Sequence, residues 1–242
     1  MGKLNLIVVA HPDDEILGFG ATGKKLVDKG EVVQPVIISS GVEQRKSRPS
    51  DKVLLDDIKR ANDIVGFNEP VLGDFPNIKL NNVDHIQLVN FIENQIEVYE
   101  PSRIFTHHPS DLNNDHLQVS RACVASSRLF QRKEGLSNLE SVHYMEVLSS
   151  TDWSFSDGNV FQPNLFVEIS EQIESKINEL EQTGKKIDNL IITFHGMQKR
   201  RIVNKGDDYY RHCYETFCLI TKNLKHIKPD QCLMSFQSRF GS

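Results

Sequence analysis

Leu4-Asn5-Leu6-Ile7-Val8-Val9-Ala10-His11-Pro12-Asp13-Asp14-Glu15 decides how this chain is read, because a mostly apolar run ends abruptly in a histidine, a proline and three acids. Packing alone has no use for such a cluster. Proline disfavours helix at the residue before it, so Leu4 to Ala10 is expected to be a strand. The segment after it, with Ile16-Leu17 and later Leu26-Val27 at helical spacing, is expected to be a helix. The cluster thus lies where a strand hands over to a helix. In a parallel α/β sheet ligands collect there, and the helix N-terminus favours negative groups. Acids also simply fill first helical turns, and for Asp13, Asp14 and Glu15 that plainer reading stands beside the functional one. His11 weighs against it. An imidazole and the Asp14 carboxylate, three residues apart around a tight turn, can converge on one cation while Asp13 points elsewhere.

The same stretch contains a literal G-x-G-x-x-G in Gly18-Phe19-Gly20-Ala21-Thr22-Gly23. A dinucleotide site needs that motif directly after the strand, so that its backbone can approach a pyrophosphate. Here seven residues intervene, three of them acids, and a pyrophosphate would face like charge. The glycines are expected instead to let the first helix pack closely on the sheet.

Composition bounds the rest. With 242 residues, 38% hydrophobic and 25% charged, the chain is expected to form one domain, 1–242, whose C-terminal part from about 150 is an elaboration. A net charge of −5 argues against nucleic acid or an anionic membrane as the main partner. The four cysteines show no C-x-x-C spacing, which fits a reducing compartment. No secretory leader and no apolar run of membrane-spanning length is seen, so a cytoplasmic protein without stable membrane insertion is expected.

Strands and helices then alternate. Lys29-Gly30 stops the first helix, Val32 to Ser39 reads as a second strand, and a polar loop carries Arg45, placed to reach a substrate anion or hydroxyl if the sheet is parallel. A surface arginine fits equally. Leu54 to Val65 reads as a helix closed by Gly66, Pro70 to Gly73 as a short strand, and His85 to Tyr99 as an amphipathic helix with Ile86, Val89, Ile92, Ile96 and Tyr99 on one face. Ser102 to Thr106 is a further strand. This order implies a Rossmann-like three-layer α/β sandwich, its mostly parallel sheet covered by helices on both faces.

After that strand comes His107-His108-Pro109-Ser110-Asp111-Leu112-Asn113-Asn114-Asp115-His116, then a helix expected from about Leu117 to Leu129. Asp and Asn crowd ordinary turns because their side chains bond nearby backbone. Two turns of this kind, each with histidine between a strand and a helix, are harder to assign to turn chemistry. If the two strands are neighbours, His11, Asp14 and His116 supply two imidazoles and one carboxylate, the set used by catalytic zinc sites with an open fourth position. Further on, Val142 to Val147 and Leu165 to Ile169 read as strands, Glu171 to Leu180 as a helix and Asn189 to Phe194 as an apolar segment. Tyr209 to Ile220 suits either helix or strand.

With both motifs in view, the chain resembles the LmbE/PIG-L family of zinc-dependent N-acetyl-sugar deacetylases. Ala10-His11-Pro12-Asp13-Asp14-Glu15 matches the family's first motif, Asp111 through His116 resembles its second, and Gly41-Val42 with Arg45 is similar to the loop after its second strand. Weaker similarity appears near Lys205-Gly206 and Tyr214-Glu215-Thr216-Phe217. The resemblance implies that His11, Asp14 and His116 bind Zn2+ or another divalent cation, and that Asp13 is the general base. It further implies that Asp115 and Asn113 serve catalysis, while Arg45, Asp111, His108 and His195 meet substrate. Many members carry histidine where this chain has Asn113, and the chain is similar to the branch with asparagine there. Asn113 cannot donate a proton as an acid, which leaves His108 and His195 as substitutes. The implied substrate is a small N-acetyl amino sugar of N-acetylglucosamine type or its conjugate, and a homo-oligomer is left open. Two other classes stand beside this reading: a zinc amidohydrolase of a non-sugar N-acyl conjugate, and a metal- or sugar-binding module without turnover.

Overall fold

Strand β1 (Leu4–Val9) is buried on both faces, and its alternation divides the molecule in two. Leu6, Val8 and Ala10 enter one apolar cluster with Leu88, Ile92, Ile96 and Val119, whereas Ile7 and Val9 enter another with Phe19, Val33, Ile58 and Phe105. Successive side chains of a strand point to opposite faces, so a near-continuous apolar run is what a parallel strand between two helical layers requires. The computed structural model describes residues 2–41, 51–136, 139–147, 150–153, 160–172 and 214–222.

Around β1 the elements are α1 (Asp14–Asp28), β2 (Val32–Ile37), α2 (Asp51–Val65), β3 (Val71–Leu72), α3 (His85–Tyr99), β4 (Arg103–His107), α4 (Asn114–Ser126), α5 (Leu129–Arg132), β5 (Ser141–Met145), β6 (Leu165–Glu168) and β7 (Tyr214–Lys222). The sheet order is β3-β2-β1-β4-β5-β7-β6. The first five of these strands are parallel, and β7 pairs antiparallel with both β5 and β6. The chain runs outward from β1 to β2 and β3, then returns to lay β4 on the other side of β1, with Val8 opposite Val36 on one flank and Thr106 on the other. This reversal makes the carboxyl ends of β1 and β4 the switch point of the sheet, where the following loops part and leave a crevice.

Of the α1 glycines, Gly18 packs on the sheet as expected, whereas Gly23 packs on the phenylalanine that follows α2. A Cβ at Gly18 would lie 2.9 Å from Met145 Sδ of β5, and one at Gly23 would lie 2.2 Å from the Phe67 ring. Gly30 and Gly66 follow α1 and α2 with φ of 80° and 78°, conformations cheap only for glycine. Two expectations need correction, and one open choice is settled. On α3 it is Leu88, not Ile86, that joins Val89, Ile92 and Ile96 in the core, and Ile86 is exposed. Helix α4 begins at Asn114, because Asn113 Oδ1 accepts the Asp115 N–H at 3.0 Å and caps the helix three residues ahead of its apolar periodicity. The ambiguous segment near the C-terminus is strand β7 over Tyr214–Lys222. Residues 170–172 are helical, and the rest of the helix expected to Leu180, with the apolar Asn189 to Phe194, lies outside the described residues. Among the described residues no helix is long and apolar enough to cross a membrane.

Candidate metal centre

The loop after β1 and the first turn of α4 meet across the switch point. One donor atom each from His11, Asp14 and His116 lies within 4.8 Å of the others, and all three residues are buried. Asp14 Oδ2 is the common point, 3.4 Å from His11 Nδ1 and 3.2 Å from His116 Nε2, and it accepts the His11 backbone N–H at 2.9 Å. Each imidazole spends its other nitrogen on a second carboxylate. His11 Nε2 lies 3.1 Å from Asp115 Oδ2, and His116 Nδ1 lies 3.2 Å from Asp111 Oδ2. A carboxylate behind each imidazole fixes ring orientation and raises ligand basicity, the arrangement found around metal-binding histidines.

One atom in particular bears on whether this donor set suits a metal. His116 Nε2 is buried and makes no well-aligned hydrogen bond, although Asp14 Oδ2 lies 3.2 Å away, so the two atoms face one another with room for a shared use. A divalent cation coordinated by two nitrogens and a carboxylate oxygen would supply it, and the residues fit such an ion. The crowded carboxylates also set the protonation of the two imidazoles. Burial alone would lower His11, but its bonds with Asp115 and Asp14 outweigh that and hold it at about 9. Burial likewise opposes the charged form of His116, yet Asp14 and Asp111 raise it to about 10. Burial would raise Asp14, and the surrounding histidines hold it well below the usual carboxylate range.

The flanking carboxylates are themselves anchored. Asp115 Oδ2 accepts the N–H of Ile78 at 2.6 Å, and its Oδ1 accepts that of Leu80 at 3.1 Å. Ile78 has φ 58°, a conformation rarely adopted by a β-branched residue, so this carboxylate holds a strained loop as well as an imidazole. Asp111, expected to meet substrate, accepts hydroxyl bonds from Ser150 at 2.9 Å and Thr151 at 2.7 Å through the oxygen that faces His116. Its other oxygen accepts the Asn113 N–H at 2.8 Å.

Asp13 is exposed beside the buried ligands, at the N-cap of α1, with φ 109° and ψ −30°. That region is closed to residues with a Cβ unless the surroundings enforce it, at a cost of about 1–3 kcal/mol. Asn113 uses its side-chain oxygen as the α4 cap, which leaves its Nδ2 as a donor. His108 bonds Ser110 through Nδ1 at 2.6 Å and packs edge-on to Tyr144 and Phe161, and burial lowers its pKa. Arg45 and His195 lie outside the described residues.

Reading the sequence missed His107, Ser150 and Thr151. His107 is fully buried, stacks on His116 with ring centroids 3.8 Å apart, and accepts the Ala10 N–H through Nε2 at 2.9 Å. Burial keeps it neutral, with a pKa lowered to about 3. Strand alternation puts it on the face of Phe105, a signal that was available. Nothing in the spacing of Ser150 and Thr151 tied them to Asp111.

Residues 6–127, half of the chain and the part that holds His11, Asp14, His116 and the carboxylates that flank them, match the GlcNAc-PI de-N-acetylase (PIG-L) family. The chain belongs to the PIG-L family. Its fold is that of a conserved protein from Thermus thermophilus, with TM-score 0.70 and 21% identity over 95% of this chain and 98% of that one. An N,N'-diacetylchitobiose deacetylase from Pyrococcus horikoshii matches with TM-score 0.68 and 15% identity over 96% and 88%. A 4-carboxy-2-hydroxymuconate hydratase from Pseudomonas putida matches with TM-score 0.71 and 15% identity over 93% and 99%. At such identities the likeness is one of fold, and the PIG-L fold serves more than one reaction.

A different relationship covers the second part. Residues 139–242 match the ferrochelatase family, and a Francisella tularensis ferrochelatase is 37% identical over 100 residues, 39% of this chain and 29% of that enzyme. The chain thus spans about three tenths of the length of the curated ferrochelatases it matches. Within this segment β5, β6 and β7 are strands of the same sheet that carries the PIG-L motifs. Glu215 of β7 reaches α1, where its carboxylate accepts the backbone N–H groups of Ala21 at 3.0 Å and Thr22 at 2.7 Å.

Proposed function

We propose that this protein is a zinc-dependent N-deacetylase that removes the acetyl group from an N-acetylated amino sugar of N-acetylglucosamine type. The observation that carries the reading is the division of labour in each of the two imidazoles, one nitrogen on a flanking carboxylate and the other facing Asp14, with the exposed Asp13 adjacent in sequence. Family membership and the deacetylase among the structural relatives support it.

His11, Asp14 and His116 would hold the metal. When bound, a zinc ion lowers the pKa of a water and polarises an amide carbonyl. Asp13 takes the proton from the attacking water as its oxygen bonds to the acetyl carbon. The C–N bond then breaks, and Asp13 returns that proton to the departing nitrogen, so that acetate and a free amine leave. Asn113 Nδ2 donates to the developing negative charge on the carbonyl oxygen, a contribution of oxyanion type. Asp115 and Asp111 hold the two imidazoles and carry no proton to substrate. Arg45 and His195 are assigned to substrate recognition, with His108 as a further contact beside the second motif.

We read residues 1–242 as one domain, supported by the single sheet shared by β1 to β7. The deciding experiment is acetate release from a panel of N-acetylated sugars and non-sugar N-acyl conjugates, with and without a chelator. Release from the sugars that stops with chelator and returns with zinc supports the proposal. Release only from non-sugar amides transfers it to another amidohydrolase, and zinc binding without any release leaves a binding module.

A further inference from the structure

Glu15 has no part in the ligand set, yet it is buried with 1% exposure one residue beyond Asp14. Its Oε2 accepts the backbone N–H of Asp13 at 3.1 Å, and its Oε1 accepts Nδ2 of Asn62 at 3.0 Å. Asn62 belongs to α2, is equally buried, and uses the same Nδ2 to reach the Ile58 carbonyl at 2.9 Å. An amide from one helix therefore grips a carboxylate, which grips the most distorted peptide of the catalytic turn.

A carboxylate reaching back to the N-cap amide is a common helix-capping device. Capping alone does not explain this one. A surface glutamate would cap equally well without the desolvation cost of a buried carboxylate, or the side chain from α2 that holds it. Asp13 in turn needs support, since its φ of 109° is not a conformation a residue with a Cβ keeps unaided. Its carbonyl is already engaged by Ile16 and Leu17 N–H at 3.1 and 2.9 Å, so the Glu15 bond on the Asp13 N–H fixes the peptide on the other side of its Cα, and the two together set φ and ψ.

We propose that Glu15 and Asn62 are positioning residues: together they lock the Asp13 backbone in its positive-φ conformation, which holds the Asp13 side chain outside the metal ligand set and open to the reacting water. This rests on Asp13 acting as the general base. The clamp itself can be tested without turnover.

The experiment is a double-mutant cycle on the full chain with Asn62→Ala and Asp13→Gly, read by thermal unfolding, alongside zinc affinity and acetate release from N-acetylglucosamine-type probes. Glycine adopts the positive φ without support. The fall in Tm caused by Asn62→Ala should therefore shrink by at least half in the Asp13→Gly background. Additive falls in Tm would overturn the clamp, whatever the activity does. For the second readout, Asn62→Ala should lower kcat about tenfold or more, with KM within about twofold and zinc affinity within about threefold of the parent. A kcat unchanged by Asn62→Ala, or a loss that tracks zinc content, would also overturn it. Failure of the unmutated protein to release acetate from any probe would sink the deacetylase reading instead, and the Tm cycle would still decide whether Asn62 and Glu15 hold Asp13 in place.

Discussion

Asp111 Oδ2 stands 3.2 Å from His116 Nδ1, on the side of the ring opposite the nitrogen that faces Asp14. The same oxygen accepts the hydroxyl bonds of Ser150 and Thr151, so the imidazole is aimed by a carboxylate that the loop after β5 holds still. Asp111→Asn is expected to weaken zinc binding by about 10- to 100-fold, the usual effect of removing a carboxylate behind a metal-bound histidine. Competition against a chelator of known affinity measures it. Unchanged affinity with impaired turnover would return Asp111 to the substrate contacts.

Asp13 and His116 should separate chemistry from metal binding. Asp13→Asn is expected to leave zinc close to stoichiometric while lowering turnover by about two or more orders of magnitude, the range for a general base. His116→Ala should lose metal and activity together. Metal analysis beside initial rates distinguishes the two, and full activity in Asp13→Asn would remove that residue from the mechanism.

How far these roles were legible in the sequence depended on whether they left a local pattern. The strand-Pro-acid-helix succession around His11 and its counterpart around His116 pointed to a parallel sheet and to a meeting of His11, Asp14 and His116, and these three come together because β1 and β4 are adjacent. Neither Asn62 nor Ser150 left such a trace: each acts through a bond to a residue 47 or 39 positions away. The start of α4 was misjudged for a related reason. Apolar periodicity reports packing, whereas the capping bond of Asn113 sets where the helix begins.

Metal binding should depend on pH with a definite sign. Raised to about 9 and about 10, His11 and His116 both carry protons near neutrality in the metal-free protein, and a cation must displace them. Apparent affinity therefore falls as pH falls, by up to about tenfold per pH unit for each proton displaced. Calorimetric titration with zinc in buffers of different ionisation enthalpy should register proton release. A buffer-independent enthalpy would contradict it.

Away from the site, Glu31 pairs with Arg103 and accepts a bond from Asn5 at 3.0 Å. Burial works against its charged form, but Asn5 and Arg103 prevail and lower its pKa from the ordinary 4.5. A depressed carboxyl contributes stability that is present above its unfolded pKa and is lost as pH falls through the folded one. Glu31→Gln should thus cost roughly 0.5–1 kcal/mol near neutrality, kept small by solvent screening. The difference should fade in acid, as urea unfolding at several pH values would show.

Glu215 tests what the ferrochelatase-like segment does. Its carboxylate bonds two amides within α1, the helix that carries Asp14, although it belongs to a strand more than 190 residues away. Removing it takes a charged acceptor from two buried N–H groups inside α1, a loss of about 1–3 kcal/mol. Glu215→Ala is expected to lower the stability of the whole chain by roughly that amount in a single unfolding transition and to weaken zinc retention with it. Iron or zinc insertion into a porphyrin is expected to be undetectable in the parent protein, since β5, β6 and β7 are committed to the sheet of the metal centre. Porphyrin metallation, or two separate transitions with the first insensitive to Glu215→Ala, would mean that residues 139–242 keep an independent role.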